Sequence, residues 1–208
     1  MLNKSNTKIK AIIWDQAGVL GKAKCGSFVQ LWVDRLDVPM EDVIRVLTIP
    51  EHALLALGEI SKDEFFDFVI QDIGLPVEKK AVLNSVCWDD FIFDVELNEY
   101  IKNLKSHYIT AMLSNMSLYL QEMIDNNMPE ELSGVFDHVI VSCYVNLLKP
   151  DPKIYQLALD RIGCEAKEAV FIDDSEKNVV GAEKLGIHGI FFQNREQAIE
   201  QLESIISS

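Results

Sequence analysis

The feature that most constrains this chain is a repeated alternation. Short apolar runs the length of a buried strand recur at Ile9–Trp14, Ile109–Leu113, His138–Val141, Ala169–Ile172 and Gly189–Phe192. Segments with apolar residues at helical spacing lie between or beside them, at Glu96–Ser106, Ser117–Asn126, Pro152–Ile162 and Asn178–Leu185. Gly163 and Gly186 follow two of these helices as C-terminal stops. Strands that alternate with helices favour a parallel sheet covered on both faces, so the expected fold class is α/β, a Rossmann-like three-layer arrangement.

The alternation is interrupted once. Between the first and second apolar runs, residues 21–93 read as helices alone, with Pro39 and Pro50 marking breaks between them. Within this stretch Ser61 and Glu64 stand at capping-box spacing before the apolar run of "ISKDEFFDFVI". The economical reading is a small helical unit, residues 21–93, inserted into a core made of residues 1–20 and 94–208. Phe65, Phe66 and Phe68 are expected to form the packed face of one of its helices. Asp89, Asp90 and Asp94 are expected to make a solvated acidic hinge, and "REQAIEQLESII" an amphipathic terminal helix packed on the core.

A length of 208 residues suffices for a substantial core without staples. The formal net charge of -14 repels nucleic acid and anionic membranes, and the expected partner is a small molecule. Cys25, Cys87, Cys143 and Cys164 form no CxxC pair, which suits reduced thiols in a cytoplasmic protein. No apolar run is long enough to span a bilayer, and the N-terminus lacks the apolar stretch of a secretory signal. His52, His107, His138 and His188 lie in separate elements and suggest neither a triad nor a zinc site.

Ligands of open α/β sheets bind beyond the carboxyl ends of the strands. The residues there are distinctive. "IIWDQAGVL" delivers Asp15, "ITAMLSN" delivers Ser114 and Asn115, "LLKPDPKIY" places Lys149 before a proline-started helix, and "VFIDDSEKN" ends in Asp173 and Asp174. Phosphoryl transfer needs an oxygen nucleophile, positive charge on the equatorial oxygens and a hard cation held by oxygen ligands. Asp15 supplies the first and Lys149 the second. Magnesium between Asp15, the Asp173–Asp174 pair and the substrate would cancel the repulsion between a carboxylate and a phosphate dianion. Ser114 and Asn115 are candidate donors to the phosphoryl oxygens. Taken singly, each has a plain alternative: a turn residue, a helix cap, a solvated lysine.

These motifs, in this order, resemble those of the haloacid dehalogenase superfamily across nearly the whole chain: Asp15 in the first, Ser114 in the second, Lys149 in the third, Asp173 and Asp174 in the fourth. "LGEISKDEF", "KPDPKIY" and "FIDDSEKNVVGAEKLGI" resemble the branch that includes sugar-phosphate phosphatases with small helical caps. The resemblance implies a Rossmann-like core, a cap over the active site, and an aspartyl-phosphate on Asp15 with magnesium present. It further implies that the backbone carbonyl of Ala17 joins Asp15, Asp173 and Asp174 around the metal.

Two residues depart from the pattern. Most phosphatases of the superfamily carry a second Asp where this chain has Ala17, which cannot donate a proton. Losing a positioned acid or base typically costs about 10²–10⁴-fold in rate, so good leaving groups such as anomeric, acyl or aryl phosphates are expected to be preferred. Asn146 stands where relatives have Gly, and Asn tolerates positive φ better than most residues. The competing readings are a metal-independent 2-haloacid dehalogenase using Asp15 on carbon, and a non-catalytic phosphate-binding protein.

Overall fold

The computed structural model describes residues 8–23, 28–85, 91–116 and 134–207. Five parallel strands make the main sheet in the order β5-β4-β1-β6-β7: β1 (Ala11–Trp14), β4 (Ile109–Ser114), β5 (His138–Val141), β6 (Ala169–Asp173) and β7 (His188–Phe191). The central β1 is buried on both faces, which explains its unbroken apolar run. Ile12 and Trp14 face a core with Leu97, Ile101, Ala198 and Leu202. Ala11 and Ile13 face the other, with Ile154, Tyr155, Ala158 and Leu159. The three-layer α/β expectation holds.

Local signals set the helix ends. Asp94 caps α6 (Val95–Leu104), accepting a bond from Leu97 N at 2.9 Å, and Leu97, Ile101 and Leu104 line the buried face. Pro152 opens the helix Pro152–Ile162 after its Asp151 cap, and Gly163 ends it in the left-handed conformation at φ 79°. The expected helix at Asn178–Leu185 starts earlier and runs Glu176–Glu183. The terminal helix Arg195–Ile206 buries Ala198 and Leu202 in the core, as its pattern predicted. The expected helix Ser117–Asn126 lies outside the described residues, as do Cys25, Cys87, Asp89 and Asp90.

The inserted stretch is not helical throughout. Its ends, β2 (Gly21–Ala23) and β3 (Phe91–Phe93), pair as a two-stranded antiparallel ribbon. Three residues are too few to show a strand period in the sequence. Between them run α1 (Phe28–Leu36), α2 (Met40–Val46), α3 (Pro50–Leu57), α4 (Lys62–Ile73) and α5 (Lys79–Ser85). They share a core of Leu36, Val46, Phe65, Phe66, Val69 and Leu83. Ser61 and Glu64 form the expected capping box, which satisfies amides the first turn would leave open. Phe68 departs from expectation. One position off the buried stripe, it is 40% exposed while Phe65 and Phe66 are buried. Asp94 is no free hinge carboxylate either, because it caps α6 and pairs with Arg195 at 2.7 Å. Among the described residues no helix is long and apolar enough to cross a membrane.

Candidate active site

The three central strands end side by side, and their register brings the polar residues together. Trp14 pairs with Met112 on one side and Ile172 on the other, so Asp15 emerges between Ser114 at the end of β4 and Asp173 at the end of β6. The Asp15 amide continues the ladder to Ile172 O at 2.9 Å. Lys149 reaches the same point from the segment after β5. Its Nζ donates to Asp15 Oδ1 at 2.7 Å, to Asp173 Oδ2 at 2.7 Å and to Leu113 O at 2.9 Å. The three acceptors saturate the ammonium's three protons.

All three of these side chains are buried, with Lys149 1%, Asp15 9% and Asp173 0% exposed, so the ammonium is the counter-charge that both carboxylates share. Burial pushes the Asp15 carboxyl up to about 6; the ammonium of Lys149 opposes that rise and the charge of Asp173 adds to it. Asp173 is held further by Ser175 N at 2.8 Å and by Asn178 Nδ2 at 3.1 Å from each oxygen. The main chain of Asn178 is in turn fixed by Tyr155, whose hydroxyl donates to the Asn178 backbone carbonyl at 2.8 Å.

Asp174 completes the cluster. Carboxylate oxygens of Asp15, Asp173 and Asp174 all lie within 4.8 Å of one another. Burial raises the Asp174 carboxyl above its ordinary range, and Asp173 raises it further. Its approach depends on Gly18, which has φ 86° and whose missing Cβ would sit 2.0 Å from Asp174 Oδ2. Three carboxylates facing one ammonium leave two negative charges without a partner among these residues. A hard divalent cation with oxygen ligands fits that charge and donor set. Ala17 lies in the same exposed turn, bridged to Gly21 through its backbone.

Of the residues singled out in the sequence, Asp15, Lys149, Asp173 and Asp174 converge, and Ser114 lies buried at the adjacent strand end. Asn115 does something the sequence did not suggest. Its amide grips the main chain of Lys149, donating to Lys149 O at 3.0 Å and accepting from Lys149 N at 2.8 Å. Asn146 has φ 53°, a left-handed geometry that Asn tolerates better than most residues. Gly18 and Asn178 were not anticipated. Asn178 had one available signal, a polar residue preceding Val179 on a helix face that is otherwise buried.

The chain is similar to known proteins over most of its length. The family profile described as haloacid dehalogenase-like hydrolase matches residues 9–186. Bifunctional epoxide hydrolase 2 of Sus scrofa is 39% identical over 166 residues, covering 74% of this chain and 30% of that protein. The chain spans only 7% to 30% of the length of the first curated relatives it matches. Sesquiterpene phosphatase astK of Aspergillus oryzae is similar along its whole length, 23% identical over 205 residues, with 96% of this chain and 98% of that protein covered. The solved structure of a HAD-like family hydrolase from Porphyromonas gingivalis superposes with a TM-score of 0.77 at 25% identity, covering 96% of this chain and 98% of the other. With the strand-end carboxylates and lysine in place and the profile spanning most of its length, the chain belongs to the haloacid dehalogenase-like hydrolases.

Proposed function

We propose that this hydrolase is a magnesium-dependent phosphatase of a small phosphorylated metabolite, with the helical unit of residues 28–85 acting as a cap over the site. The observation that carries the reading is the convergence of Asp15, Asp173 and Asp174 around a buried Lys149. Asp15, Asp173, Asp174 and the Ala17 carbonyl would hold the metal, which supplies charge neutralisation for an incoming phosphate dianion.

Lys149 donates to Oδ1 of Asp15, and in this reading Oδ2 is the attacking oxygen. Attack on phosphorus forms the Oδ2–P bond and breaks the bond to the leaving oxygen, which takes the electron pair. Water then attacks the aspartyl phosphate, releasing inorganic phosphate and restoring the carboxylate. Lys149 would contribute its positive charge, and Ser114 its hydroxyl, to stabilising the developing charge on the phosphoryl oxygens. Asn115 acts as a positioning residue for Lys149. Ala17 offers no proton, so the leaving group departs as an anion and must be stable as one.

The same observation about Ala17 favours a second reading. Halide leaves carbon without a proton, so a haloacid dehalogenase also fits a site without that acid. It gives Asp174 no task, since the chemistry needs no metal. One experiment separates the two: phosphate release from a panel of phosphorylated metabolites, with magnesium and with chelator, beside halide release from short 2-haloacids. Magnesium-dependent phosphate release that disappears in Asp15→Asn supports the phosphatase. Chelator-resistant halide release would replace it.

A further inference from the structure

The helical unit touches the core at a second place besides the β2–β3 ribbon. Every helix leaves its last carbonyls without intrahelical partners, and α3 ends at Leu57 with Gly58 left-handed behind it. The amides of Gly58 and Glu59 fold back onto Leu55 and Leu54. The carbonyl of Ala56 finds its donor in the core: Ser142 Oγ lies 2.7 Å away. Ser142 is fully buried and opens the short helix Ser142–Val145 that follows β5. The same oxygen accepts from Met116 N at 2.9 Å and has Met116 O as an alternative acceptor at 3.2 Å.

A hydroxyl carries one proton, so it serves one of these carbonyls well at a time. The shorter contact is the one across the two units. Met116 follows Ser114 and Asn115, the residues at the strand end beside Asp15, and Asn115 sets the main chain of Lys149. Ser142 therefore joins a helix end of the inserted unit to the segment carrying Ser114 and Asn115.

We infer that Ser142 is a positioning residue that couples seating of the helical unit to the posture of the Ser114–Met116 segment. With the unit seated, the hydroxyl donates to Ala56 O and holds the Met116 amide as acceptor. With the unit lifted, the hydroxyl turns to Met116 O, and the segment loses its tie to the insert. The effect of this coupling on turnover rests on the phosphatase reading; the coupling itself does not.

The test works from both sides of the contact. Ser142→Ala removes the hydroxyl. Gly58→Ala leaves Ser142 intact but unseats α3, because a Cβ there would meet Cys143 O at 2.9 Å. Gly58→Asn places the same Cβ against Cys143 O with better tolerance of positive φ, should the alanine variant not fold. Amide hydrogen exchange at Met116 is the readout, and each variant is expected to speed it on the order of tenfold. The Ser142→Ala, Gly58→Ala double variant should exchange no faster than the faster single one, since both break one link. If Gly58 variants leave Met116 exchange unchanged, or the two effects multiply, Ser142 is only a local cap and the inference fails. In turnover of a phosphate ester, both variants should lower kcat/KM with unchanged magnesium affinity. A wild-type protein inactive on all esters would overturn the phosphatase reading while leaving the exchange result to decide the coupling.

Discussion

Lys149 Nζ sits 2.7 Å from Asp15 Oδ1, joining residues 134 positions apart in the chain. The same ammonium also pairs with Asp173, and it lies 5.4 Å from the ring centroid of Phe171. Removing it strands two buried carboxylates, a change that typically costs about 3–5 kcal/mol. Lys149→Met is therefore expected to lose stability of that order in urea denaturation, and to lose activity. A variant as stable as the wild type would show that the carboxylates do not depend on Lys149.

Gly18 makes a sharper test of Asp174. Gly18→Ala places a methyl group where Asp174 Oδ2 now stands, on a backbone with φ 86°. Displacing one ligand should weaken magnesium binding by about 10–100-fold, the usual scale for disturbed metal-site geometry. Calorimetric titration measures this, with circular dichroism verifying the fold. Unchanged affinity would remove Asp174 from the metal site.

On the phosphatase reading, Ala17 leaves the departing group without a proton donor. Across a series of aryl and alkyl phosphates, log kcat/KM should fall steeply as leaving-group pKa rises, and Ala17→Asp should flatten the slope. The gain on poor leaving groups is expected to be about 10²–10⁴-fold. A flat wild-type series would mean that another group supplies the proton.

His52, partly buried on α3 with its ring 5.8 Å from that of Phe65, carries a stability signature. Burial lowers its pKa in the folded state below the unfolded value of about 6.5. The unfolded chain then binds more protons in that window, so the stabilising contribution of neutral His52 is present above about pH 6.5 and is lost as pH falls. Asp15 acts in the opposite sense, since its folded pKa is raised to about 6 and acidification favours the folded form. Comparing wild type with His52→Gln in urea at about pH 7.5 and about pH 5 isolates the histidine. The variant should lose less stability on acidification; an equal loss would contradict the assignment.

How much of this was readable in the sequence follows from the range of each interaction. The strands, the Ser61–Glu64 capping box, Gly163 and the positive φ of Asn146 are local, and periodicity or turn chemistry announces them. Asp15, Lys149, Asp173 and Asp174 were legible because parallel strands deliver their following residues to one edge. What escaped was pairing across the fold. The Asn115 amide on the Lys149 backbone, Asn178 on Asp173, and Ser142 between Met116 and Ala56 depend on which strands become neighbours. The β2–β3 ribbon and the exposure of Phe68 escaped because three residues, or one helical step, lie below the resolution of any periodicity.

Nucleophilic attack by Asp15 is tested most simply by acid-quenching the protein during turnover of a labelled acyl or aryl phosphate and locating the label. A hydroxylamine-sensitive phosphoryl group is expected on Asp15, formed only with magnesium and absent from Asp15→Asn. Magnesium-dependent turnover in which Asp15 never carries the label, or which survives in Asp15→Asn, would contradict it.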